Sequence, residues 1–278
     1  MENTPLVSAI VLNYKNPQYT VQCVHNLLRQ TIADRMEILV VDNHSCDDSI
    51  GILRNRLGEE PSVRIIETPE NLGFGGGNNF GERYAHGTYI LILNPDTEPA
   101  QSSIEQLVEH LEQDQTIGII APKLEFADKS VRDSFRRFPD ISDFIIKRTA
   151  LRHVLHDRLN RYLRRSIHPT ETCDVEWVVG AFMLLRRSLY ESLEGFDERY
   201  FLFLEDTDLC RRCWEAGFRV VYSPQTTASD RKQRLSGDGF LPIILTKTGR
   251  IHITSAIKYF WKWHGKALPN TSGVRIPK

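Results

Sequence analysis

Through the first 120 residues, uninterrupted apolar runs alternate with stretches of helical periodicity. Residues 6–12 are apolar at nearly every position, as expected of a strand buried on both faces, and they end in Asn13-Tyr14-Lys15-Asn16-Pro17, a turn. Residues 19–30 carry Val21, Val24, Leu27 and Leu28 at helical spacing. A second buried strand over 37–41 empties into Asp42-Asn43-His44-Ser45-Cys46-Asp47-Asp48. A helix over about 49–57 and a third strand over 63–67 follow. Gly73 and Gly75 to Gly77 then precede a helix that should run through Ala85. The fourth strand, 89–93, stops at Asn94-Pro95-Asp96-Thr97-Glu98. Beyond it, 99–113 forms an amphipathic helix with Ile104, Leu107, Val108 and Leu111 inward, and 117–121 a short strand. Alternation of this kind predicts an α/β fold with a mostly parallel central sheet and right-handed crossovers.

Past Pro122 the pattern changes. Residues 136–165 read as a basic helical insertion with Leu151, Leu155 and Leu159 on one stripe. Apolar 177–185, interrupted by Gly180-Ala181, returns to the core, and Gly195-Phe196-Asp197-Glu198 reads as a turn. Phe201-Leu202-Phe203-Leu204 is followed at once by Glu205, Asp206 and Asp208, so at least one of these carboxylates should face a cleft. A helix through Trp214 ends at Gly217, a short strand occupies 219–222, and 226–239 reads as a polar, mobile loop. An aromatic, lysine-rich helix over 251–263 closes the pattern. The expected organisation is one domain over 1–240, divided into halves at about 1–125 and about 170–240. A helical extension over 241–278 completes it.

Charge alters this picture in one place. The net charge of 278 residues is −1, but residues 132–165 hold ten Lys/Arg against four Asp/Glu, a surplus of +6 over a remainder of −7. Such a segment suits an anionic partner, a membrane surface or a phosphorylated acceptor, or is a solvated face. Five scattered cysteines argue against a disulfide framework and for a reducing compartment, and Cys210-x-x-Cys213 on a helix reads as core. The first apolar run is too short and too acidic in its flank for a secretory signal.

Candidate chemistry sits where strands end. Asp96 and Glu98 flank one residue after a buried strand, and their oxygens suit a hard divalent cation shared with phosphates, or else an ordinary Asx turn. Glycines ahead of a helix let backbone N–H groups approach an anion or a flat ring. The dinucleotide fingerprint G-x-G-x-x-G fails here, since Asn78 stands at its last position and the loop follows the third strand.

Three separated motifs agree: Val40-Val41-Asp42-Asn43 with Ser45 and Asp48, Glu70-Asn71-Leu72-Gly73-Phe74 with Asn78 and Asn79, and Leu93-Asn94-Pro95-Asp96-Thr97. Together they resemble the family-2 inverting glycosyltransferases of the GT-A fold. Trp177 to Ala181, Gly195-Phe196-Asp197-Glu198 and Phe203 to Leu209 extend the likeness over roughly residues 5–265. Gln233-Arg234-Leu235-Ser236 and His252-Ile253-Thr254-Ser255-Ala256 echo the bacterial rhamnosyltransferase branch.

The resemblance implies a nucleotide-sugar donor, dTDP-L-rhamnose or a UDP sugar. Asn13 and Tyr14 would line the base and ribose pocket, and Asp42 would accept a pyrimidine N3–H. Asn43, Asn71, Gly73 and Asn79 would hold the nucleoside side, with Asn94, Trp177 and Gly180 also contacting the sugar nucleotide. Asp96 would bind Mg2+ or Mn2+, and Asp230 stands where the family carries a metal-binding His. Arg231 and Arg234 would clamp the diphosphate as the loop closes. Asp206 would be the base, Glu205 would orient the sugar or acceptor, and Asp208 would be structural. The implied acceptor is a saccharide or a polyprenyl-diphosphate-linked sugar in surface-polysaccharide synthesis. The implied place is the cytoplasm, with peripheral attachment at the inner face of the plasma membrane left open. Lys258 to Trp263 suits either that interface or a homodimer contact, and nucleic acid is not an expected partner. A catalytically silent scaffold is the reading from another class.

Overall fold

The computed structural model describes residues 4–149, 151–164, 167–231 and 246–271. The first half alternates as β1 (Val7–Asn13), α1 (Pro17–Leu27), β2 (Met36–Asp42), α2 (Ser49–Leu57), β3 (Val63–Glu67), α3 (Gly73–Glu82) and β4 (Tyr89–Leu93). Next come β5 (Thr97–Pro99), α4 (Ser103–Gln113), β6 (Ile117–Glu125) and the two-residue β7 (Phe135–Arg136). Three short helices follow, α5 (Ile141–Arg148), α6 (Leu151–Val154) and α7 (His156–Leu163). The chain then runs through β8 (Cys173–Asp174), β9 (Trp177–Val178), β10 (Phe182–Arg186), α8 (Arg187–Ser192), α9 (Glu205–Glu215), β11 (Arg219–Asp230) and a C-terminal helix, α10 (Lys247–Lys262).

The main sheet has the order β3-β2-β1-β4-β10-β6-β11-β5, with β8 also on β11. β1 pairs in parallel with β2 on one edge and with β4 on the other, while β10 enters antiparallel with Phe182 opposite Leu93. The chain thus walks outward from β1 to β3 and returns to the opposite edge of β1. At such a reversal the carboxyl ends of the two central strands diverge into a crevice. Helices cover both faces of the sheet, so every residue of β4 is buried, which is why its sequence shows no alternation.

Several elements differ from their sequence reading. The glycine run does not form a loop ahead of a helix; it is the first half of α3. Helix and sheet lie too close there for side chains, since a Cβ on Gly77 would stand 2.5 Å from Leu12 Cδ1. The strand expected over 219–222 continues to Asp230, because 227–230 pairs with both β6 and β5 beyond a bulge. Residues 226–230 are therefore sheet, and 232–245, with Arg234, lie outside the described residues. The basic insertion is helical, as three short helices, and Leu151 and Leu155 of its stripe are exposed. Asp140 starts the first of them by accepting the Ser142 and Asp143 N–H groups in a capping box.

Four of the ten cations in 132–165 pair with carboxylates of the chain itself. Arg158 pairs with Asp140 at 2.8 Å and Asp143 at 3.2 Å, and Arg164 meets Glu176 at 2.9 Å. Arg137 reaches the same Glu176 at 3.5 Å, and Arg132 bonds Asp230. Cys210 and Cys213 sit in the core on α9. The C-terminal helix packs against α9 through a separate small core of Tyr200, Leu204, Ala256, Tyr259 and Trp263. No helix among the described residues is long and apolar enough to cross a membrane.

Candidate active site

The crevice is built from three strand ends and one helix start. At the end of β1, Asn13 Nδ2 donates to Asp42 Oδ1 at 2.6 Å, while Thr20 Oγ donates to Asn13 Oδ1 at 2.8 Å. Ser45 holds the same carboxylate by its N–H at 3.0 Å and its hydroxyl at 2.6 Å. Asn13, Asp42 and Ser45 are all buried, so the carboxylate is fixed before any ligand arrives. Tyr14 beside them is exposed. Asn43, at the end of β2, ties in the next turn: its amide donates to the Gly73 carbonyl and to Asn71, and accepts the Leu72 N–H. Asn13, Tyr14, Asp42, Asn43, Asn71 and Gly73 are thereby brought together.

Gly73 opens α3 at φ +75°, and the N–H of Phe74 donates to the Phe201 carbonyl at 2.8 Å. A Cβ on Gly73 would stand 2.1 Å from that same oxygen. We expect Gly73→Ala to cost more than about 2 kcal/mol, through positive-φ strain and collision with backbone. Urea unfolding measures it, and an unchanged midpoint would show that the turn relaxes freely.

Asn79 does not join the crevice network. Its oxygen accepts the Tyr190 hydroxyl at 2.5 Å and the Phe196 N–H at 2.8 Å, and its nitrogen donates to the Phe196 carbonyl and Glu198. With each polar atom engaged, it braces α3 against the 195–198 turn. Trp177 is buried, donating its indole N–H to the Arg137 carbonyl at 2.6 Å.

The second group lies in the turn after β4. Asp96 is half-buried; burial pushes its carboxyl up, against the pull of Arg132 and Arg231. Asp230 ends β11 opposite Thr97, which brings its carboxyl beside Asp96. Burial is the main cause raising Asp230; the pairing with Arg132 opposes it and Asp96 adds to it. One oxygen of Asp230 accepts from Arg132, and the other is buried without a partner among the described residues. Arg231 stacks over Tyr19 at 4.3 Å and donates to Gln22 at 2.7 Å, and Glu98 accepts from the same Gln22 at 2.6 Å. No cluster of three or more His, Cys, Asp or Glu able to hold a metal exists among the described residues.

The third group begins α9. Phe203 and Leu204 both adopt left-handed backbone, at φ +72° and +69°, a strained entry for residues with side chains. Glu205 is buried with Oε2 unpartnered, and burial followed by the charge of Asp206 drives its carboxyl well above the usual range. Asp206 is also raised by burial, but the Gly180 N–H at 3.0 Å, the Thr207 N–H at 2.7 Å and the charge of Arg136 favour its ionised form. Burial thus favours the neutral form more strongly at Glu205, while these donors and Arg136 support the anion at Asp206. Asp208, two residues on, faces away into a cage of Tyr200, Arg212, Lys262 and Trp263.

One short segment links the last two groups. Gly180 N–H donates to Asp206, and the carbonyl of the next residue, Ala181, accepts the Asn94 N–H at 2.9 Å. The Asn94–Asp96 turn and Asp206 thus lie across a single pair of residues. The sequence reading missed Arg132 and Arg136. It counted both as surface charge, and no local signal separates them from neighbouring arginines.

The sequence pattern of the family described as glycosyl transferase family 2 matches residues 8–193. The chain is 29% identical to an N-acetylglucosaminyl-diphospho-decaprenol L-rhamnosyltransferase of Mycobacterium tuberculosis over 73% of its length and 68% of the relative's. It is 31% identical to the rhamnosyltransferase WbbL of Escherichia coli over 67% of its length and 69% of that relative's. Its fold resembles a mannosyltransferase of Pyrobaculum calidifontis solved with GDP-Man and Mn2+, at TM-score 0.59 and 20% identity. That match covers 84% of this chain and 59% of the other.

Proposed function

Because the chain belongs to glycosyl transferase family 2, we propose that it transfers L-rhamnose from dTDP-L-rhamnose, with inversion, to a saccharide or polyprenyl-diphosphate-linked acceptor in bacterial surface-polysaccharide synthesis. The observation that carries this reading is the Gly180-Ala181 bridge, which sets the Asn94–Asp96 turn and Asp206 on one crevice. Both rhamnosyltransferase relatives support the sugar, and the diphospho-decaprenol in the name of one supports a lipid-linked acceptor. Peripheral attachment at the inner face of the plasma membrane would follow from such an acceptor.

In this reading the carboxylate of Asp42, held by Asn13 and Ser45, accepts the N3–H of a pyrimidine base. Asp96 and Asp230 are hard oxygen donors, one with a buried unpartnered oxygen, and would hold Mg2+ or Mn2+ together with diphosphate oxygens. Such an ion would stabilise the negative charge of the departing diphosphate. Arg231, now on Tyr19 and Gln22 beside the same turn, would meet the diphosphate. Asp206 removes the proton of the acceptor hydroxyl as its oxygen bonds the sugar C1, and the C1–phosphate oxygen bond breaks with its electron pair on the nucleotide. Glu205, whose neutral form burial favours, orients the sugar or the acceptor. The geometry of Asp42 suits uracil as well as thymine, so UDP-galactose or UDP-glucose is the second reading.

A panel of sugar nucleotides assayed with and without EDTA tests the proposal. Turnover should be greatest with dTDP-L-rhamnose and should fall at least about tenfold with chelation. Turnover with UDP sugars alone would move the assignment to the second reading.

A further inference from the structure

Arg132 belongs by sequence to the basic stretch 132–165, yet it lies beside the acidic pair. Its N–H donates to the Leu124 carbonyl at 2.8 Å, which lays this stretch along β6 and carries the side chain to the end of β11. There the guanidinium bonds Asp230 Oδ2. Asp230 is 3% exposed, and its Oδ1 has no partner among the described residues. Asp96 adjoins Thr97, the cross-strand neighbour of Asp230, and Arg132 leads the charges that draw its carboxyl down. Two buried or half-buried carboxylates therefore share one arginine at the point where a cation would bind.

We propose that Arg132 is an internal counter-ion that competes with a divalent cation for Asp230 and, once displaced, turns to the diphosphate of the sugar donor. The diphosphate half of this proposal rests on the function proposed above; the competition for Asp230 does not. A guanidinium within a few ångströms of a metal ion repels it, so the ion binds weakly to the nucleotide-free protein. A nucleoside diphosphate offers the arginine a new anionic partner, so nucleotide and ion should each tighten the other's binding. The arrangement also offsets part of the pair's negative charge between turnovers.

Mn2+ binding to the nucleotide-free protein, followed by calorimetry or by the paramagnetic signal of free Mn2+, tests the competition. Arg132→Gln should bind Mn2+ at least about tenfold more tightly than the wild type, with Arg132→Lys remaining close to wild type. Arg132→Met, which keeps the aliphatic stem, replaces the Gln variant if that one melts early. Adding dTDP should tighten Mn2+ binding in the wild type and do so less in the neutral variants. Unchanged Mn2+ affinity in a folded neutral variant, or no Mn2+ binding by either protein, overturns the counter-ion role. Failure of dTDP and UDP to bind the wild type, alongside a gain for Mn2+ in Arg132→Gln, would remove the sugar-donor reading and leave the competition standing.

Discussion

Asp206→Asn will lower the transfer rate by about three orders of magnitude while leaving nucleotide binding within about twofold, the behaviour of a lost general base. The replacement is nearly isosteric, and its amide oxygen can still accept the Gly180 or Thr207 N–H. The wild-type pH profile follows from the same environment. Burial raises the Asp206 carboxyl, so activity should be lost on the acid side at a pH above the ordinary aspartate value. Stability runs the other way. A carboxyl whose folded value is raised binds its proton more tightly when folded, so its contribution is full below the unfolded value and is lost as pH rises through the folded one. Asp206→Asn removes that loss and should melt no lower than wild type at neutral pH, with its relative advantage shrinking in acid. Initial rates paired with calorimetric scans at several pH values decide both. A variant retaining a tenth of wild-type turnover would refute the assignment of the base.

Asp208→Ala will be among the most destabilising single changes in the chain. The Asp208 carboxylate has no exposure and accepts from Arg212 at 2.8 Å, Lys262 at 2.8 Å, Trp263 at 2.9 Å and Tyr200 at 3.4 Å. Removing it leaves Lys262 with Asp197 alone and Arg212 with only the Leu193 and Gly195 carbonyls, a loss of about 3–5 kcal/mol for a broken buried ion pair, or roughly 10 °C in melting temperature. Two of its partners belong to the C-terminal segment, so the loss also loosens α10 from the start of α9. That helix fixes the strained turn ahead of Glu205: Ser255 donates to the Leu202 carbonyl at 2.8 Å, and His252 stacks on Phe203 at 4.3 Å. Turnover should therefore fall together with stability. Melting within about 1 °C of wild type would show that the cage is replaceable by water.

Asp206 and Asp208 differ by two positions and are identical in type, yet one opens on the crevice and the other on a core. In a helix they are separated by about 200° of rotation, so the sequence does separate their faces. It also reports that β1, β2 and β4 are buried, because residues covered on both sides must be apolar at successive positions. The motifs ending those strands located Asp42, Asn43 and Asp96 for a similar reason: polar groups after a buried strand emerge at the sheet edge where helices no longer cover them. The glycine run was harder to read. Its composition suits both an anion-cradling loop and a helix lying close on a sheet, and only the contact of Gly77 with Leu12 decides between them.

What the chain by itself determined was the order of elements, the carboxyl-end position of the acidic motifs and the family to which they belong. Those are local properties, recorded in burial periodicity and in turn residues. Tertiary structure alone decided which charges meet. Arg132 and Asp230 are 98 residues apart, and Gly180 and Asp206 are 26 apart. A pairing over such distances depends on strand order and register, which no local pattern carries. Local pattern likewise could not tell an arginine turned to a buried carboxylate from one turned to water.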